Sequence, residues 1–262
     1  MDQFQEKVEV IRSERIAADV FRLVLAAPEI AEKATPGQFI MIKVNWAYDP
    51  LLRRPFSIFQ TSGQDIQIVY KVLGKGTQIM STFKAGDKID IIGPLGKGFT
   101  VISKNLCLVG GGMGIAPLFF LSKQIVQTVK GAKIQLLLGA RTRDELMAFE
   151  PGFKALGVQV HAATDDGSAG HHGFVTDLFV KAADNCPADQ AFDVYCCGPY
   201  PMMRTVAELC TKYGLPCQVS METMMACGIS ACLGCAIQGN GKRYLHVCKD
   251  GPVFQGGEIK WA

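Results

Sequence analysis

The chain changes its periodicity near residue 101, and that change limits what it can fold into. Up to that point six short runs, VEVIRSERI, VFRLVLAA, FIMIKV, FSIFQ, DIQIVYKVL and KIDIIG, are rich in β-branched and aromatic residues. PGQ, SGQD, GKG and AGD turns separate them, and none carries a helical period, so residues 1–100 are expected to form a small antiparallel β-barrel. Beyond it, buried-strand runs (NLCLVGG, KIQLLLGAR, VQVHAATDD, FDVYCCGP) alternate with helix-like stretches (APLFFLSKQIVQTV, DELMAFEPGFKAL, TDLFVKAA, PMMRTVAELCTKYG). Such alternation predicts a parallel sheet covered by helices over residues 101–219. From 220 to 262 the pattern dissolves into Cys, Gly and Met. So short a segment cannot bury a core of its own and is expected to lean on the other two domains.

Several function classes drop out on composition. With a net charge of +3 on 262 residues and the basic side chains scattered, nucleic-acid binding is not expected. The polar start MDQFQEKVEV has no apolar h-region, so no signal peptide is expected. The longest apolar stretch, LCLVGGGMGIAPLFFL, is broken by four glycines and a proline and is no membrane span. The expected compartment is the cytoplasm, where ten cysteines stay mostly reduced and a disulfide framework is disfavoured.

Four motifs carry chemistry. Gly110-Gly111-Gly112-Met113-Gly114-Ile115-Ala116-Pro117 lies between an expected strand and an expected helix, where glycines let a phosphate approach backbone N–H groups. It departs from G-x-G-x-x-G, with Pro117 in the last place as a possible first residue of the helix. Cys197-Gly198-Pro199 ends the strand FDVYC on the ligand side of such a sheet, so Cys197 is expected to face a bound nicotinamide and Cys196 the core. In RRPFS (53–57), guanidinium groups precede a serine hydroxyl: the first suit pyrophosphate, the second a ring nitrogen. GKGT (74–77) offers N–H groups and Thr77 to the same phosphates, although a basic turn and a hairpin loop account for both stretches alone.

The cysteines are the most specific signal. Cys227, Cys232 and Cys235 stand at C-x4-C-x2-C, and Cys248 follows after twelve residues. Plant-type [2Fe-2S] sites use this spacing, with small residues letting one loop wrap the cluster. Zinc usually takes two tighter knuckles and remains the alternative on spacing. Weaker candidates surround these. Glu222, just ahead of the loop, is either a proton relay or a surface carboxylate. Asp165-Asp166 suits a ribose or a solvated turn, and His161, His171 and His172 show no ligand spacing. Arg141 and Arg143 suit a 2′-phosphate that Asp144 and Glu145 would repel. No hydrolytic Ser-His-Asp or paired-carboxylate arrangement is present.

In order, RPFS, GKGT, GGGMGIAP and CGPYPMM resemble the ferredoxin–NADP reductase superfamily over residues 1 to about 220. The tail SMETMMACGISACLGCAIQ with Cys248 resembles, more narrowly, the electron-transfer subunits of class 1B, NAD-dependent dihydroorotate dehydrogenases, and that likeness covers the whole chain. It implies FAD on the barrel, a Rossmann-like NAD-binding domain and a [2Fe-2S] cluster on Cys227, Cys232, Cys235 and Cys248. The flavin positions it implies are Arg54, Pro55, Phe56, Ser57, Lys71, Val72, Leu73, Gly76 and Thr77. The nucleotide positions are Gly111, Gly112, Gly114, Cys197, Gly198 and Pro199, with Cys197 and Glu222 as candidate catalytic groups near nicotinamide and flavin. It also implies an FMN-containing catalytic subunit that oxidises dihydroorotate to orotate in pyrimidine biosynthesis, in a heterotetramer of two subunits of each kind. A reductase component for another oxidoreductase is the alternative, with a zinc-stabilised binding subunit behind it. Trp261 is a candidate flavin-stacking aromatic by analogy with reductases that end in one.

Overall fold

The computed structural model describes residues 2–187 and 190–261. Six antiparallel strands close into a barrel in the order β1 (Phe4–Ala17), β2 (Val20–Ala26), β5 (Asp65–Lys71), β4 (Arg54–Ser62), β3 (Phe39–Lys43), β6 (Lys88–Leu95). Alternation explains the closure. Val8, Val10, Leu23, Leu25, Ile40, Ile42, Ile66, Ile68, Ile89 and Ile91 all point inward and are at most 5% exposed. Two short helices, α1 (Pro28–Lys33) and α2 (Lys75–Met80), interrupt the strands. The GKGT stretch is thus the first turn of a helix and not a hairpin loop.

The second body is a seven-stranded sheet ordered β10 (His171–His172), β9 (Gln159–Thr164), β8 (Lys133–Ala140), β7 (Asn105–Gly111), β11 (Asp193–Cys197), β12 (Cys217–Ser220), β15 (Val253–Gln255). Every pairing is parallel except that of β12 with β15. The crossovers run through α3 (Ile115–Thr128), through α4 (Arg143–Met147) with α5 (Glu150–Ala155), and through α6 (Val175–Asp184) and α7 (Tyr200–Tyr213). The single helix expected over 144–156 is split at Phe149 because Pro151 lacks an N–H and sits in the first turn of α5. Helix α3 starts at Ile115, after a 3₁₀ turn over Gly112–Gly114, so Pro117 lies in its first turn without being its first residue.

The cysteine segment does more than lean. Its end supplies β15: Ser220 pairs with Val253, and Met221 N–H donates to Pro252 O at 2.8 Å. Between those points it forms the small hairpin β13 (Ala236–Gln238) and β14 (Tyr244–His246). Cys235, Leu245, Val247 and Cys248 share one apolar core with Phe39, Met41 and Leu95 of the barrel and Cys107, Val109 and Val219 of the sheet. The barrel and α3 also lock directly. Phe59 stacks on Phe119 at 4.3 Å and 6°, and Lys123 Nζ donates to Gln60 Oε1 and Thr61 O at 2.8 and 3.1 Å. Among the described residues no helix is long and apolar enough to cross a membrane.

Candidate functional site

Two cavities meet at Lys71. The first, about 260 Å³, is walled by Phe39, Pro55, Phe56, Ser57, Val69, Tyr70, Lys71, Leu73 and Thr77 of the barrel and by Met113 and Ala116 of the glycine turn. Ser220, Met221, Glu222, Thr223, Met225 and Pro252 of the cysteine segment complete it. The second, about 480 Å³, opens at the carboxyl ends of the parallel strands. Gly111, Gly112, Gly139, Ala140, Arg141, Glu145, Asp165, Val175, Pro199, Pro201 and Met202 line it, with Lys71 on the barrel side. Ligands of doubly wound sheets bind at that end of the strands. A cavity of 760 Å³ opens at the opposite end, beside Asn105, Lys133, Gln159 and α6, away from every motif above.

The barrel cavity fits a flavin. Pro55, Phe56 and Ser57 line it from the start of β4, which begins at Arg54. Tyr70 is 2% exposed, packed between Phe21 and Phe56, and its Oη is buried with no hydrogen-bond partner among protein atoms. A buried orphan hydroxyl costs about 1–3 kcal/mol, and a polar ligand in the cavity removes that cost. Burial also pushes its phenol pKa well up, so it stays a neutral donor. Tyr70 was not singled out from sequence. It reads there as one more residue of an alternating strand, and only barrel closure turns it to the cavity.

The remaining barrel residues divide. Arg54 donates to Leu52 O at 2.6 Å and lies against Gly76, where a Cβ would stand 3.2 Å from its Nε. Its guanidinium is therefore held beside the first turn of α2. The neighbouring Arg53 instead pairs with Asp90 at 2.5 Å and is structural. Thr77 Oγ1 accepts the N–H groups of Leu73 and Gly74, so it shapes the turn as well as lining the cavity. Val72 bonds Asp19 O and packs on the barrel core, outside the cavity lining, whereas Lys71 and Leu73 line it.

In the nucleotide cavity, Gly112 has φ +54° and open space where a Cβ would be, leaving room for a phosphate. At Gly114 a Cβ would fall 2.4 Å from the carbonyl carbon and oxygen of Cys197, and at Gly198 2.6 Å from Met202 Cε and 3.0 Å from Gly111 N. These glycines let the β7 and β11 turns touch. Gly111 and Pro199 line the cavity, with Asp165 beside them.

Cys197 does not face the cleft as expected. It is 1% exposed, buried in the core between the sheet and α3, and hydrogen-bonded to Ser220, its neighbour on β12. Burial first, then the charge of Glu222, pushes its thiol pKa well up. Cys196 is buried as expected, on the other face of the sheet. Glu222 is open to the flavin cavity but ringed by protein, and this lost hydration raises its carboxyl pKa. Trp261 is not in the flavin cavity. It packs on Tyr200 at 5.4 Å and donates to Gly256 O at 3.0 Å.

The four spaced cysteines come together as two pairs. Cys235 Sγ lies 3.2 Å from Cys248 Sγ, and Cys232 N–H donates to Cys227 Sγ at 3.4 Å. Among the described residues no group of three or more His, Cys, Asp or Glu side chains closes as a shell for a single metal ion. Two thiolate pairs match the donor set of a two-iron cluster. Ile229 N–H also points at Cys227 Sγ, and Gly234 N–H at Cys232 Sγ, both at 3.4 Å. Burial opposes ionisation of Cys227, but the N–H donors of Cys232 and Ile229 outweigh it and draw the thiol down to about 7. The loop turns on Gly228, Ser230 and Leu233, all with positive φ, and packs so tightly that a Cβ on Gly228 would sit 2.5 Å from Met41 Cγ.

The comparisons agree with this geometry. Residues 7–99 match the oxidoreductase FAD-binding domain family, and residues 108–208 the oxidoreductase NAD-binding domain family. Residues 222–260 match the iron-sulfur cluster binding domain of dihydroorotate dehydrogenase B. The chain is 39% identical to the electron transfer subunit of dihydroorotate dehydrogenase B (NAD(+)) from Bacillus caldolyticus, over 97% of this chain and 98% of that one. For the Fusobacterium nucleatum subunit the values are 37%, 94% and 95%. A solved structure of an NADH-dependent reduced ferredoxin-NADP oxidoreductase superposes with a TM-score of 0.83 at 34% identity, covering 98% of this chain and 90% of that chain. A ferredoxin NADP+ reductase from Neisseria gonorrhoeae, at 16% identity and a TM-score of 0.67, shares the fold. The chain belongs to the family of electron-transfer subunits of NAD-dependent dihydroorotate dehydrogenase B, within the ferredoxin–NADP reductase-like superfamily.

Proposed function

We propose that this chain passes electrons between NAD and an FMN-containing subunit that converts dihydroorotate to orotate in pyrimidine biosynthesis. One observation carries the reading: a single cavity is walled by the RPFS strand, the glycine turn and the start of the cysteine segment. FAD held there would supply the chemistry that joins two-electron exchange with nicotinamide to one-electron exchange with a [2Fe-2S] cluster. Ser57 and Tyr70 offer hydroxyls to the flavin ring, and Arg54, Gly76 and Thr77 lie together as a pyrophosphate cradle. Gly111, Gly112 and Gly114 receive the nucleotide phosphates. Cys197, buried behind the wall, holds Ser220 at the flavin cavity, and Glu222 is the carboxyl placed to hold or release a proton at the flavin. Cys227 and Cys232 would hold one iron, Cys235 and Cys248 the other.

For the partner, the cluster loop shows exposed Met224, Ile229 and Leu233 beside exposed Cys232, an apolar surface for the FMN subunit, with two of each subunit in the assembly. None of the ten cysteines is in a disulfide, which suits the cytoplasm. The purified chain should show flavin bands and cluster absorbance that NADH bleaches, and it should copurify with an FMN protein. A colourless, zinc-containing chain would sink the reading. The likeness to the ferredoxin-linked oxidoreductase favours one other reading, a reductase component of such a complex. Copurification with a protein lacking FMN would select it.

A further inference from the structure

Glu145 joins the two lobes at the mouth of the nucleotide cavity. Its Oε1 accepts from Lys71 Nζ at 3.0 Å and from Arg141 Nη2 at 2.8 Å, while Oε2 accepts the Arg141 backbone N–H at 3.1 Å. Lys71 is the last residue of β5 in the barrel, and Arg141 follows β8 in the sheet. All three line the 480 Å³ cavity. Two cations therefore stand where β8 ends, and one carboxylate occupies both. Burial works against its ionisation, but the hydrogen bonds from Arg141 and Lys71 outweigh that and hold its pKa down at about 2. The carboxylate is charged at every pH at which the protein works.

We propose that Glu145 makes this site select NAD over its 2′-phosphorylated form, by sequestering the two cations that line the cavity, Lys71 and Arg141, and by repelling a phosphate dianion. Near the end of the second strand of a doubly wound sheet, an acidic group suits a ribose 2′-hydroxyl and a free arginine suits a 2′-phosphate. In this chain the arginine is present but bound. Lys71, which also lines the flavin cavity, is brought to it only by the docking of the barrel. Asp165 on the same wall adds a second negative charge, and Arg143 does not line the cavity. Like charges in such a pocket favour the unphosphorylated ligand by exclusion as much as by contact.

This inference rests on the reading of the cavity as the nicotinamide-dinucleotide site, and its test separates the two. Flavin reduction by NADH and by NADPH is followed in the holoprotein and in Glu145→Gln. The variant should raise the ratio of kcat/KM for NADPH to that for NADH at least tenfold, chiefly through KM, and Arg141→Ala added to it should abolish the gain. A ratio that moves less than twofold, or a gain that survives loss of Arg141, overturns the proposal. A second measurement needs no variant: in the wild type 5′-AMP should compete with NADH at least tenfold better than adenosine 2′,5′-bisphosphate, and equal competition overturns the proposal. If NADH does not reduce the wild-type flavin at all, the functional reading itself fails.

Discussion

Glu222 and Glu145 are carboxyls driven in opposite directions by their surroundings. Burial beside the flavin cavity raises the pKa of Glu222 above its ordinary 4.5, while the cations around Glu145 lower its pKa to about 2. The folded state therefore holds the Glu222 proton more tightly, and the stability this contributes is full at low pH and lost as pH rises above 4.5. For Glu145 the contribution is full above 4.5 and lost as pH falls from there toward 2. Of the two carboxyls, only Glu222 is shifted upward, toward neutral pH. NADH-driven flavin reduction should thus show a pH dependence that Glu222→Gln flattens and Glu145→Gln leaves in shape; an unchanged profile in the Glu222 variant would count against this role. Glycines can be ranked the same way. Gly114→Ala drives a Cβ into the Cys197 backbone and should cost about 1–3 kcal/mol or more in urea unfolding. Gly112→Ala meets open space and should cost only the roughly 1–2 kcal/mol of its left-handed backbone. The reverse order would refute the close approach of β7 and β11. Much of this site was legible beforehand, since Ser57, Gly112 and the four cysteines sit in short local motifs. Tyr70 was assigned no role, and Glu145 only repulsion of a 2′-phosphate, because the cavity that Tyr70 faces and the Lys71 that Glu145 binds come from far away along the chain.

At the scale of elements, the six barrel strands and the alternation of the nucleotide domain follow from local periodicity, and the structure has them. The last two strands on one side of the sheet do not follow from it. CQVS is only four residues long, and VFQ lies beyond the cysteines, so neither is recognisable until it pairs. Phe254, at the centre of VFQ, is 4% exposed and packs in the core shared by sheet and cysteine segment. Phe254→Ala should cost about 3–5 kcal/mol in unfolding and lower bound iron in the same preparation. If stability fell while iron stayed stoichiometric, the edge strand and the cluster loop would be independent.

Across the whole molecule, barrel, sheet and cysteine segment share one core, and part of the apolar surface that remains exposed lies on the cluster loop. Met224 is 90% exposed, so Met224→Asp should weaken association with the catalytic subunit at least tenfold, measured by titration calorimetry, and leave NADH reduction of the isolated chain unaffected. Unchanged affinity would move the interface elsewhere. The antiparallel pairing of Ser220 with Val253 has a further consequence. Everything between those residues leaves and re-enters the sheet at neighbouring Cα positions, like a cassette plugged into adjacent contacts. A tight turn joining the two strands would keep the sheet edge intact, so the strand pairing by itself sets no length for the electron-exit module between them.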